Sequence, residues 1–202
     1  MTISVEFHFD FGSPNAYLSH LVIPAIEART GVKFEYVPVL LGGVFKATGN
    51  ASPAVTLQGI KNKPEYGRIE MQRFLDKHNI TTFKQNPHFP VNTLQIMRGA
   101  IYAQSQDCYE RYIDEVYKHM WSEPKKMDEA DVIQGALVES GLPAVDIATG
   151  MQDPEIKQQL IANTEASVAR GTFGSPTFYV DDQIFFGKDK LGDTEAEIVA
   201  RG

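Results

Sequence analysis

The sequence predicts an α/β fold in which two small groups of strands flank a run of helices, and three observations predict it. An alternating apolar stretch, a helix and a second apolar stretch open the chain. The middle carries helical spacing alone. Near the C-terminus, two short aromatic and β-branched runs sit between two further helices. The order is β-α-β, a helical block, then α-β-β-α.

The first strand is Ser4–Phe11, where Val5, Phe7, Phe9 and Phe11 alternate with Glu6, His8 and Asp10. Pro14 to Thr30 reads as a helix with Tyr17, Leu18, Leu21, Val22 and Ile26 on one face, kinked at Pro24 and stopped by Gly31. Val32–Val39 is the second strand, so a parallel pair with a right-handed crossover is expected. Helical spacing returns at Pro64–Asn79, Thr93–Asp107, Tyr109–Trp121 and Asp128–Ser140, with Asp128 as an N-cap and Gly141 as a stop. Asp153-Pro154-Glu155 supplies a cap, a first-turn proline and a first-turn acid to a helix that ends near Arg170. The runs "PTFYV" and "QIFF" flank Asp181-Asp182, a tight hairpin. Gly187 leads to a last helix from about Lys190.

Bulk properties narrow the function. The 202 residues suffice for one domain with a sizeable insertion, and 43% hydrophobic with 22% charged residues is ordinary for a globular protein. A net charge of −7 argues against a nucleic-acid backbone or an anionic membrane as partner. No apolar run approaches the length of about 18 residues that a membrane span needs. The opening "MTISVEF" has neither the basic nor the apolar segment of a signal peptide, and the one cysteine, Cys108, excludes an internal disulfide. A cytoplasmic location is the expectation. The five histidines show no metal-ligand spacing, so no metal is expected, and neither a Walker loop nor GxGxxG is present.

Three segments carry the chemistry: the strand-to-helix junction "FDFGSPNAYL" (Phe9–Leu18), "GTFGSPTFYV" (Gly171–Val180) and "FFGKD" (Phe185–Asp189). With the element order, they resemble the DsbA-like thioredoxin family. More closely, the chain is similar to its glutathione-dependent branch, the 2-hydroxychromene-2-carboxylate isomerases and kappa-class glutathione transferases. The resemblance implies a thioredoxin-like fold formed by residues 1–45 and 152–202, with about 55–150 as an inserted helical part. It also implies a homodimer and a small aromatic substrate.

Ser13 is an N-cap by its residue type and by the proline that follows. In oxidoreductases of this fold a cysteine stands here, and "SPNA" (Ser13–Ala16) in place of CxxC rules out disulfide exchange at this site. A hydroxyl at the positive end of a helix stabilises a bound thiolate instead, and a thiol of ordinary pKa about 8.5 needs that help at neutral pH. In the resembling family this serine does so for glutathione. A trans X-Pro bond is the ordinary expectation at Ser175-Pro176. The resemblance implies a cis bond facing the helix, with the Ser175 backbone free to pair with glutathione as an extended peptide. Gly187-Lys188-Asp189 reads as a turn with Asp189 capping the last helix. The resemblance instead gives Asp189 the ammonium of the γ-glutamyl end and Lys188 its carboxylate.

For the glycyl carboxylate the resemblance points to Asn50 and Lys63, with Lys61 beside the latter, although a solvated loop lysine is an equal reading. Asn92 reads as a helix cap. Tyr17, Phe45 and Trp121 are candidate pocket aromatics whose helical spacing also suits core. Cys108 has no basic neighbours that would make it reactive. The implied activity is a glutathione-dependent isomerisation in which the thiolate adds reversibly to a conjugated carbonyl compound. The alternatives are a kappa-like transferase or peroxidase that consumes glutathione, and a catalytically silent thioredoxin-fold binding protein.

Overall fold

A computed structural model describes residues 3–57 and 59–202. Strands β1 (Val5–Phe9), β2 (Glu35–Pro38), β3 (Thr177–Val180) and β4 (Gln183–Phe186) form one sheet in the order β2-β1-β3-β4. β1 runs parallel to β2, with Phe7 opposite Tyr36, and antiparallel to β3, with Phe7 opposite Phe178. Asp181 and Asp182 make the two-residue β3–β4 turn, and Asp181 adopts a φ of 52°, the left-handed conformation such turns demand.

The crossover between β1 and β2 is α1 (Pro14–Thr30), which contains Pro24 and ends on Gly31 at a φ of 74°. Between β2 and β3 lie α2 (Leu41–Thr48), α3 (Pro53–Thr56), α4 (Lys63–His78), α5 (Leu94–Gln104), α6 (Tyr109–Trp121), α7 (Ala130–Glu139), α8 (Ala144–Gly150) and α9 (Pro154–Ala169). A short 3-10 turn at Lys188–Lys190 leads into α10 (Leu191–Arg201), which packs on α1 and β3. Asp153 caps α9 by accepting a hydrogen bond from Glu155 N at 2.7 Å. Three helices, α2, α3 and α8, were not expected. α2 carries Gly42-Gly43, which weakens its helical signal, while α3 and α8 are only 4 and 7 residues long.

The alternating stretch forms the expected strand, and both faces of it are covered. Phe9 and Phe11 pack on Tyr117 of α6 with ring centroids 5.9 and 4.8 Å apart. On the opposite face His8 is buried too, because α9 lies over it and Ser167 Oγ meets His8 Nδ1 at 2.7 Å. Asp128 does not cap α7: the capping position is Glu129, and the Asp128 carboxylate accepts from Asn92 N at 3.4 Å. Asn92 performs a cap's hydrogen bond, accepting from Leu94 N at 3.1 Å, although Thr93 holds the capping position of α5. Tyr17 and Trp121 are core residues, and Trp121 Nε1 donates to Phe11 O at 2.7 Å.

Candidate functional site

The site is assembled where β1 ends, α1 begins and β3 starts. Ser13 occupies the N-cap of α1 in extended conformation, with Pro14 in the first turn. Its hydroxyl accepts from Ala16 N at 3.2 Å and donates to Ser175 O at 2.8 Å. Ser13 is 5% exposed, and the Ser175-Pro176 bond is cis. The Ser175 carbonyl, which the resemblance implied to be free, already accepts one hydrogen bond from Ser13 and keeps its second lone pair. Ser175 Oγ accepts from Asp10 N at 3.2 Å, so loop and strand end are joined twice.

Asp10 is the residue that sequence reasoning missed. It sits at the end of β1, and its backbone O accepts from Ser13 N at 3.0 Å. One carboxylate oxygen accepts from Gly12 N at 2.8 Å and the other from Leu41 N at 2.7 Å, fixing both the turn before Ser13 and the start of α2. Burial pushes its carboxyl above the ordinary range, while the amides of Leu41 and Gly12 and the Thr93 hydroxyl oppose that rise. The signal was an acid at the end of the alternating strand, two residues before the Gly-Ser-Pro turn. Gly12 has little room for a side chain, since a Cβ there would stand 3.1 Å from Thr93 Cγ2.

Asn50 is brought to the same loop. Its side-chain amide donates to Phe173 O at 2.8 Å, two residues before Ser175. Phe173 packs at a tilt of 44° on Phe186 of β4 with ring centroids 4.4 Å apart, and both residues remain 42% exposed. This exposed aromatic pair beside the cis-proline loop was also missed, although an aromatic flanks each of the two C-terminal motifs. Lys63 is not drawn in. It opens α4 as an exposed residue, and among the described residues its side chain has no ion pair or hydrogen bond; Lys61 is likewise exposed.

Lys188 and Asp189 follow Gly187, whose N–H donates to Pro176 O at 3.0 Å, and so they lie just beyond the cis proline. Asp189 does not cap the last helix: it falls within the 3-10 turn, and Lys190 holds the capping position of α10. The Lys188 ammonium lies 2.5 Å from the Asp189 carboxylate and 4.5 Å from the centre of the Phe74 ring. The lysine side chain is 6% exposed and the aspartate side chain 73%. The pair opens on a hollow of about 330 Å³ between α1, α4 and α10, and Ser13 is not among its lining residues. Cys108 lies apart, half-buried before α6, with its thiol pushed up by burial and by Asp107. Among the described residues, no cluster of three or more histidine, cysteine or carboxylate side chains is placed to hold a metal.

A cis-proline loop facing the N-terminus of the first helix defines a thioredoxin-class site, here with a hydroxyl where a thiol would act. The chain belongs to the DSBA-like thioredoxin domain family, which it matches over residues 4–199. It is 28% identical over 203 residues to the 2-hydroxychromene-2-carboxylate isomerase of Sphingobium xenophagum, covering 98% of this chain and 100% of that protein. It is 26% identical over 208 residues to human glutathione S-transferase kappa 1, covering 93% of this chain and 87% of that one. The fold superposes on a solved 2-hydroxychromene-2-carboxylate isomerase with a TM-score of 0.83 at 22% identity, over 97% of this chain and 94% of that chain. No described helix is long and apolar enough to cross a membrane.

Proposed function

We propose that the protein is a glutathione-dependent isomerase of the 2-hydroxychromene-2-carboxylate type, with Ser13 as the group that stabilises the glutathione thiolate. One observation carries the reading: the Ser13 hydroxyl sits at the N-cap of α1, hydrogen-bonded to the Ser175 carbonyl of the cis-proline loop. Similarity to the Sphingobium isomerase over the whole chain supports the reaction class.

The Ser13–Ser175 bond is an exchangeable pair. An extended thiol peptide that lays its N–H on the Ser175 carbonyl displaces the Ser13 O–H from it, and the hydroxyl then turns to donate to the sulfur, whose own proton passes to solvent. The α1 N-terminus adds a partial positive charge beside the same atom. The thiolate adds to the conjugated carbonyl substrate, a bond rotates in the adduct, and the thiolate leaves again, so glutathione is not consumed. The exposed Phe173–Phe186 pair offers a face on which a planar aromatic substrate stacks.

At the γ-glutamyl end, Lys188 and Asp189 present a buried cation beside an exposed anion, complementary to an α-amino acid zwitterion. Asn50 and Lys63 are the groups for the glycyl carboxylate. Asn50 is already on the cis-proline loop, whereas Lys63 must reach the peptide from an exposed helix start. The reading also takes the protein to be a cytoplasmic homodimer.

The test is turnover of a 2-hydroxychromene-2-carboxylate with substoichiometric glutathione. Product should exceed the glutathione supplied while the glutathione concentration stays constant. Ser13→Ala should lower kcat by about a hundredfold, the usual loss when one donor to a developing anion is removed. Unchanged turnover in Ser13→Ala would sink the thiolate role. Stoichiometric loss of glutathione would favour the second reading, a kappa-like transferase, which the similarity to the human enzyme supports.

A further inference from the structure

A second hollow, of about 360 Å³, lies between α2, α5 and α9, and neither Ser13 nor the cis-proline loop lines it. That volume falls in the range of roughly 300–1,000 Å³ that accommodates small molecules. Its apolar wall is Leu40, Leu94, Leu160, Ile161 and Val168, all aliphatic, and no aromatic ring lines the hollow. It therefore suits a flexible alkyl body better than a stacked ring.

Each of the three helices contributes one cation to the lining: Lys46 from α2, Arg98 from α5 and Lys157 from α9. Glu165 is the one acid there. This local excess of positive charge stands on a chain whose net charge is −7. Among the described residues, none of these four side chains forms an ion pair. The Nε of Arg98 is shut off from solvent and has no hydrogen-bond partner. That nitrogen is closed to a ligand as it is to water, but the two terminal guanidinium nitrogens, which form no hydrogen bond among the described residues and are not shut off, can give an anion in the hollow a charge-assisted pair.

We infer that this hollow is a binding site for an aliphatic carboxylate, whose alkyl chain lies on the leucine wall and whose carboxylate pairs with Arg98. Lys46 and Lys157 add attraction from the rim. The site is separate from the thiol chemistry at Ser13, although Leu40 and Leu94 adjoin Leu41 and Thr93, which hold the Asp10 carboxylate.

Calorimetric titration of the full chain with octanoate tests the site, with 1-octanol as the neutral counterpart. Octanoate should bind saturably at one site per chain. Octanol should bind at least about tenfold more weakly, and Arg98→Gln should weaken octanoate by about tenfold while leaving octanol unchanged, as loss of a charged hydrogen bond predicts. Ala47→Trp, at an exposed rim position, should block octanoate without touching the arginine. Ser13→Ala should leave octanoate affinity intact. No saturable octanoate binding, equal octanol binding, an unaffected Arg98→Gln, or octanoate binding lost in Ser13→Ala would each overturn the inference.

Discussion

The two ends of the candidate site are built on opposite terms. Around Ser13 the polar groups that shape the turn are buried and paired, the hydroxyl by Ala16 and Ser175, the Asp10 carboxylate by Gly12, Leu41 and Thr93, the Trp121 indole by Phe11, and the buried Tyr117 hydroxyl behind them is the exception. Along the arm from Asn50 through α3 to the start of α4, the described residues are exposed except for half-buried Ser52 and Leu57, and α4 buries only Phe74. At Ser13 the backbone that presents the donor is thereby fixed before a thiolate binds, so that only the Ser13 hydroxyl has to turn and little is reorganised at the moment of reaction. The flexible end of a peptide needs no such fixing. The comparison teaches that the half proposed to carry the thiol chemistry is an extension of the core, whereas the half proposed to hold the glycyl end is surface.

The sharpest way to break the comparison is Asp10→Asn. The two carboxylate oxygens accept amides from different segments, and an asparagine presents an N–H₂ to one of them. The variant should lose about 1–3 kcal/mol of stability in urea unfolding, the cost of leaving a buried amide unsatisfied. It should also lower turnover, since one of the two amides, Gly12 or Leu41, would no longer be held. Wild-type stability in Asp10→Asn would show that the core-built end is as tolerant as the exposed arm.

A smaller effect comes from His8, on the sheet face beneath α9. Burial holds its imidazole below the ordinary value, against the pull of Glu6. As pH falls through about 6.5, the unfolded chain takes up a proton there that the folded chain refuses. Stability therefore drops on acidification, by at most about 1.4 kcal/mol per pH unit for this one group. Unfolding measured from about pH 7.5 to 5.5 should show the decline in the wild type and a shallower one in His8→Gln, judged against the ordinary imidazole range. Parallel profiles for the two proteins would remove His8 from the account.

Much of this was legible in the residues. The alternating phenylalanines of β1, the capping signals at Ser13 and Asp153 and the Asp181-Asp182 turn are local, and local physics is what a sequence pattern records. The burial of His8 and Asp10 was not legible, because it depends on α9 and α2 arriving from far along the chain. α2 itself hid behind Gly42-Gly43, and its helix is sustained by packing on α9. The bond between Ser13 and the Ser175 carbonyl spans 162 positions, so no spacing rule could report it.

The smallest expected effects lie in the exposed arm, and they distinguish its two candidates. Asn50 is already bonded to Phe173 O, so Asn50→Ala loosens the loop that carries Ser175 as well as removing a donor. Among the described residues Lys63 has no side-chain bond to lose, and a solvated lysine meeting a carboxylate at the surface contributes little. Lys63→Ala should raise the KM for glutathione by at most about fivefold, leave kcat unchanged, and lose even that difference at high salt. Asn50→Ala should raise KM by more than Lys63→Ala and lower kcat as well, because it acts on the Ser175 loop. A salt-sensitive KM effect in Lys63→Ala that exceeds the Asn50→Ala effect would reverse the assignment and make the exposed arm the stronger anchor.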